Sequence, residues 1–285
     1  MGEFVEIVEV GPRDGLQNEA RTIPVAEKVA LIDCLSLVGF RRIEAASFVS
    51  PRWVPQMAGS SEVMARIDRV QGVRYTALTP NVRGLEDAVE AGVDEVAVFA
   101  SASEGFSRAN INASIAESLE RFRAVMAAAA AANMPVRGYI SCVTDCPYDG
   151  EVAPEAVADV ASELLAMGCH EISLGDTLGR ATPERIDAML AAVLDVADAG
   201  DLAGHFHDTA GRAVDNVMVA LERGLRVFDA AVGGLGGCPY APGAAGNVAT
   251  ALVAGALAGK GFEHGLDMEA LAQAEAMALG LRETV

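Results

Sequence analysis

The chain has 285 residues, 52% of them hydrophobic, enough to bury a large core as one big domain or as two smaller ones. Its 40 acidic and 21 basic side chains leave a formal charge of −19, which repels nucleic acid and anionic membrane surfaces. A polyanion-binding role is excluded, but an anionic small ligand in a local basic pocket is not. Five cysteines (Cys34, Cys142, Cys146, Cys169 and Cys238) make an odd number and argue against a disulfide framework. Cys142 and Cys146 lack the second cysteine pair of a structural zinc site, so reduced thiols are expected. No apolar run is long enough to span a membrane, and Met1 to Glu6 lacks the basic and apolar regions of a secretory signal. These features lead us to expect a soluble, cytoplasmic protein with no membrane partner.

In chain order, a strand over 5–10 is followed by a helix over 24–38, with Pro24 in its first turn and Gly39 behind it. A strand over 42–48 precedes a helix over 60–70. A strand over 74–79 precedes one over 82–91, closed by Gly92. The strand at 94–100 leads to a helix over 113–132, whose alanine run at 127–132 reads as tight helix packing. The strand at 135–142 leads to 154–167, between Pro154 and Gly168. The strand at 170–175 leads to 182–198, where Thr182 before Pro183 is a candidate N-cap. Strands at 202–207 and 226–232 precede helices over 212–223, closed by Gly224, and 246–258.

Strand and helix alternate eight times without a linker or a composition break. That pattern predicts an α/β chain forming one (β/α)8 TIM barrel over about 4–260, with an extra C-terminal helix over about 267–280.

In such a barrel, chemistry gathers at the carboxyl ends of the strands. His205 and His207 stand two apart on a strand and face the same side, which is metal-clamp spacing. A hydrogen-bonded core pair is the plainer alternative for that spacing alone. Arg13-Asp14 follows the first strand, Glu44 and Ser47 end the second, Asp176-Thr177 ends the sixth, and Asn247 lies beyond the eighth. Asp14, His205, His207 and Asn247 mix two nitrogens with two oxygens, which suits Mg²⁺ or Mn²⁺, with zinc the competing assignment. Asp208 reads as a helix N-cap or as support for an imidazole. Four glycines at 233, 234, 236 and 237 permit close backbone approach, and their spacing matches neither the phosphate loop nor the dinucleotide signature. Cys238 beside them reads equally as a proton donor, a nucleophile or a bystander.

Val10-Gly11-Pro12-Arg13-Asp14-Gly15-Leu16-Gln17-Asn18-Glu19 and Ser47-Phe48-Val49-Ser50-Pro51-Arg52-Trp53-Val54-Pro55-Gln56-Met57 closely resemble the 3-hydroxy-3-methylglutaryl-CoA lyase family. The likeness continues through Arg137-Gly138-Tyr139, Cys146-Pro147-Tyr148, Glu171 to Thr177, the His-x-His pair and Gly246-Asn247. Arg-Asp-Gly alone is shared with wider groups such as isopropylmalate and homocitrate synthases. The resemblance implies metal-assisted retro-Claisen cleavage of an acyl-CoA substrate, (S)-3-hydroxy-3-methylglutaryl-CoA, to acetyl-CoA and acetoacetate. It implies catalytic roles for Arg13, Cys238, His205, Glu44 and Asp176, substrate contacts from Arg13, Gln17, Ser47, Ser173, Asp176 and Thr177, and a homodimer by analogy. Arg13 would stabilise the enolate oxygen, Glu44 would orient Arg13, and Cys238 would protonate the enolate.

The chain departs from the family pattern where Gly-Asn-x-Ala-Thr-Glu ends in Ala251, and where Ala20 replaces a common lysine, with Arg21 next to it. A sister lyase acting on citramalyl-CoA or another 3-hydroxy-3-methyl acyl-CoA is therefore the alternative. The ending Arg282-Glu283-Thr284-Val285 is not a peroxisomal signal, which adds to the cytoplasmic expectation.

Overall fold

Eight parallel strands close on themselves because each is buried on both faces and each is followed by a helix that covers its outer side. The computed structural model describes residues 2–238 and 241–282, with the side chains of 238 and 241–245 left aside. The chain runs β1 (Glu6–Glu9), α1 (Val25–Ser36), β2 (Arg42–Ser47), α2 (Ser60–Arg66), β3 (Arg74–Leu78), α3 (Val82–Glu90) and β4 (Glu95–Ser101). It continues with α4 (Glu104–Ile111), α5 (Ile115–Ala131), β5 (Val136–Ser141), β6 (Asp145–Cys146), β7 (Gly150–Glu151), α6 (Pro154–Ala166), β8 (Glu171–Asp176) and α7 (Pro183–Leu194). Then come β9 (Leu202–Phe206), α8 (Ala213–Glu222), β10 (Val227–Ala230), β11 (Gly237–Cys238), β12 (Ala241–Ala245), α9 (Thr250–Gly259) and α10 (Met268–Leu281). The barrel order is β1-β10-β9-β8-β5-β4-β3-β2, and the pairs β6/β7 and β11/β12 stand outside it as small antiparallel ribbons.

The barrel and the C-terminal helix agree with the sequence reading, with boundaries displaced by a few residues. Gly39, Gly92, Gly168 and Gly224 all adopt positive φ behind their helices, the conformation that ends a helix at low cost for glycine. Helix α4 and both ribbons were not anticipated, because each is too short to show a period. Two other details differ. The alanine run buries only Ala129, so it serves helix propensity more than packing. Thr182 occupies the N-cap position of α7 without capping it, its hydroxyl being bonded to the Glu184 side chain.

Strand β2 carries a bulge between Glu44 and Ala46. Glu44 lies opposite Thr76 and Ser47 opposite Leu78, and Thr76 and Leu78 share one face of β3. The extra residue therefore puts Glu44 and Ser47 on the same side in spite of their odd spacing.

The barrel interior is charged where an apolar filling is usual. Arg42 pairs with Glu6 at 2.8 Å and Glu171 at 2.8 Å, and Arg137 pairs with Glu171 at 2.6 Å and Asp229 at 2.8 Å. Among the described residues, no helix is long and apolar enough to cross a membrane.

Candidate active site

After β1 the chain turns through Gly11–Gly15 as one π-helical turn, in which the Val10 carbonyl accepts from the N–H groups of Arg13, Asp14 and Gly15. Gly15 is required because a Cβ there would lie 2.6 Å from Leu235 Cβ, where the turn meets the glycine-rich loop. Glu9 anchors this region. Its carboxylate accepts from Gly11 N at 2.8 Å, Val232 N at 2.8 Å and the Thr250 hydroxyl at 2.7 Å, joining β1, the glycine-rich loop and α9.

Arg13 is 5% exposed, and its guanidinium meets Glu44 Oε2 through Nε at 2.7 Å and Nη2 at 2.6 Å, and Asp14 Oδ1 through Nη1 at 2.7 Å. Burial opposes its charge, but Glu44 and Asp14 outweigh that and hold Arg13 protonated at any working pH. Burial pushes the Glu44 carboxyl up against the pull of Arg13, and Glu44 Oε1 has no hydrogen-bond partner among the described residues. The Tyr139 ring lies between two guanidiniums, 5.6 Å from Arg13 and 5.0 Å from Arg137.

His205 is the penultimate residue of β9 and His207 lies just past its end, with their Nε2 atoms facing each other at 3.3 Å. A backbone bridge pairs His207 with Asn247, bringing the segment before α9 alongside. Asp14 Oδ2 is 3.9 Å from His205 Nε2 and accepts from Asn247 Nδ2 at 2.8 Å. Burial opposes the charge of Asp14, but Arg13, His205, His207 and Asn247 hold its carboxyl down at about 2. Burial also pulls His207 down to about 4, whereas His205 is raised because the hydrogen bond and charge of Asp229 outweigh its burial.

Asp14, His205 and His207 each offer a ligand atom within 4.8 Å of the other two. Two ligands about 2.1 Å from a cation and at right angles stand about 3 Å apart, so the facing imidazole nitrogens fit an octahedral site. The donor set of nitrogen and oxygen without thiolate also suits Mg²⁺ or Mn²⁺. Asn247 is present but turns its amide nitrogen to Asp14, so ligation through its oxygen requires the amide to flip.

The other predicted positions have varied surroundings. Gln17 is half-buried on the turn behind Arg13. Ser47 is buried, and its hydroxyl has no hydrogen-bond partner among the described residues. Ser173 faces the barrel interior and donates to Asp229 at 2.8 Å. Asp176 accepts from Ala181 N at 2.9 Å and organises the loop after β8, and burial raises its carboxyl despite backbone hydrogen bonds from Ala181, Arg180 and Gly179. Thr177 accepts from Cys142 N at 2.8 Å. Asp208 is not the N-cap of α8, a position that Arg212 occupies, but its carboxylate reaches across the turn to accept from Ala213 N at 2.9 Å. The side chain of Cys238 lies outside the described ones.

Sequence reasoning missed Asp229 as a neighbour of the site. It lies on β10 with His205 as its register partner on β9. Its only signal was an acid inside an otherwise apolar strand.

The HMGL-like family matches residues 4–278. The hydroxymethylglutaryl-CoA lyase of Pseudomonas mevalonii is 56% identical over 271 residues, covering 95% of this chain and 90% of the relative. The 3-hydroxy-3-isohexenylglutaryl-CoA/hydroxy-methylglutaryl-CoA lyase of Pseudomonas aeruginosa is 56% identical over 270 residues, with 95% and 90% covered. The crystal structure of the HMG-CoA lyase from Brucella melitensis superposes with a TM-score of 0.97 at 60% identity, covering 98% of this chain and 99% of that one. With the Arg13-Asp14 turn and the His-x-His pair at one barrel mouth, this chain belongs to the HMGL-like family of lyases.

Proposed function

We propose that the chain cleaves (S)-3-hydroxy-3-methylglutaryl-CoA to acetyl-CoA and acetoacetate, with a divalent cation held by Asp14, His205, His207 and Asn247. The observation that carries this reading is the meeting of Arg13, Asp14, His205 and His207 at the carboxyl ends of β1 and β9. A bound Mg²⁺ or Mn²⁺ would supply Lewis acidity for the C3 hydroxyl and orient the substrate. Arg13 uses three of its five N–H groups on Glu44 and Asp14, and the rest serve the thioester oxygen as the enolate develops. Glu44 holds the guanidinium in that orientation. Proton removal from the hydroxyl falls to a carboxylate or imidazole at this mouth, and proton return to the enolate falls to Cys238. Gln17, Ser47 and Thr177 are assigned to substrate contacts, while Ser173 and Asp176 act through the groups that they orient.

A cytoplasmic setting fits Cys34, Cys142, Cys146 and Cys169, which are all free. The second substrate in the name of the Pseudomonas aeruginosa relative favours testing longer branches too.

The test is acetyl-CoA release from (S)-3-hydroxy-3-methylglutaryl-CoA by purified protein with Mg²⁺, with Mn²⁺ and after EDTA. Citramalyl-CoA and 3-hydroxy-3-isohexenylglutaryl-CoA run in parallel. Metal-dependent release that EDTA abolishes and Mn²⁺ restores is expected. Turnover of citramalyl-CoA alone would overturn the substrate assignment, and silence on all three would overturn the lyase.

A further inference from the structure

Asp229 is 2% exposed, and all of its described partners are donors or an imidazole. Arg137 grips it with both terminal nitrogens, Nη2 to Oδ1 at 2.8 Å and Nη1 to Oδ2 at 3.1 Å. The Ser173 hydroxyl adds 2.8 Å to Oδ2, and the same oxygen faces His205 Nδ1 at 3.1 Å. Arg137 is itself fixed, its Nε donating to Glu171 at 2.6 Å, while both Glu171 oxygens accept from Arg42 at 2.8 and 3.0 Å. The fork therefore has no freedom to release the carboxylate.

A carboxylate locked against a guanidinium stays an anion, and an anion only accepts. The proton between Asp229 and His205 must then reside on Nδ1. That leaves Nε2, the nitrogen 3.3 Å from His207 Nε2, with its lone pair directed into the mouth. Among the described residues His207 has no equivalent support, its buried Nδ1 lacking a hydrogen-bond partner there. Sequence offers no hint of this asymmetry between two histidines of one motif.

We propose that Asp229, clamped by Arg137 and Ser173, is a positioning residue that fixes His205 as the Nδ1–H tautomer and so commits its Nε2 to a divalent cation. The proposal rests on the cation site described above and adds the group that selects the tautomer. In Asp229→Asn one carboxylate oxygen becomes an NH₂ group. Arg137 then loses one of its two acceptor oxygens on this residue, and His205 faces a group able to donate as well as accept. The preference for a single tautomer disappears, and with it a full-time lone pair at Nε2.

The experiment uses the full chain, metal-free and labelled with ¹⁵N-histidine, at about pH 9, well above the ordinary imidazole pKa of about 6.5. The chain has four histidines, so His170→Gln and His264→Gln suffice to separate the remote signals from those of the site. In the wild type the His205 signal should show a proton on Nδ1 and none on Nε2. In D229N the two nitrogens should become mixed, and the Mn²⁺ dissociation constant should rise about 10- to 100-fold by calorimetry. A wild-type proton on Nε2 overturns the proposal. So does a D229N protein that melts earlier yet keeps both its tautomer and its Mn²⁺ affinity, because that is the behaviour of a merely structural residue. If D229N does not fold, the wild-type spectrum alone decides. A tautomer change in D229N, with no Mn²⁺ binding by the wild type, supports the positioning role and overturns the cation site.

Discussion

Arg13 shows how one side chain serves both the chemistry and the fold. It is the donor assigned to the enolate, and it also neutralises Glu44, which is 1% exposed. Replacing it with methionine should lower turnover about 100- to 1,000-fold, the usual loss for a preorganised donor. The same change strands a buried carboxylate, so stability should fall by about 3 kcal/mol at pH 8. The penalty should shrink as pH falls, because burial favours the protonated form of an unpaired Glu44; melting curves at several pH values check this. Arg13, Asp14, His205 and His207 were legible because arginine, aspartate and histidine are costly to bury, so their placement at strand ends has few explanations. Asp229 was not legible. Its relation to His205 is a register between two strands separated by α8, and no local pattern encodes that pairing.

At the scale of elements, eight strand and helix periods were readable because each repeats long enough to show its phase. The β2 bulge was not, because alternation counted along 42–47 puts Glu44 and Ser47 on opposite faces, and only the partner strand reveals the extra residue. The staple between β1, the glycine-rich loop and α9 has a titration of its own. Burial raises the Glu9 carboxyl from 4.5 to about 7, against the Val232, Thr250 and Gly11 hydrogen bonds. The folded state then binds this proton more tightly than the unfolded state. The resulting stability is complete below about pH 4.5 and is lost as pH rises through about 7, a change of about 3 kcal/mol. Glu9→Gln keeps an acceptor for Gly11 and Val232, and its amide nitrogen donates to the Thr250 hydroxyl, which turns from donor to acceptor. Denaturant titrations should show that it removes this slope and is at least as stable as the wild type at pH 8.

The whole molecule carries two kinds of electrostatics that respond differently to salt. Its surface holds most of a net charge of −19 and repels itself. Raising ionic strength from about 0.01 to 0.15 M shortens the screening length from about 30 to about 8 Å, so the melting temperature should climb with NaCl. An unchanged or falling Tm would show that surface repulsion is not what limits stability. The ions inside the barrel are shielded from that salt and form an unbroken line, from Glu6 through Arg42, Glu171, Arg137 and Asp229 to His205. In most barrels of this class the lower rim sustains the scaffold and the upper rim does the chemistry, and the two tolerate change independently. Here a substitution at Glu6, at the far floor, removes one of the two carboxylates that hydrogen-bond Arg42 and leaves it on Glu171 alone, and the change should be felt along the line as far as the imidazole. The division of labour between the two rims is lost, and inactivating changes should be found as readily at the floor of this barrel as at its mouth.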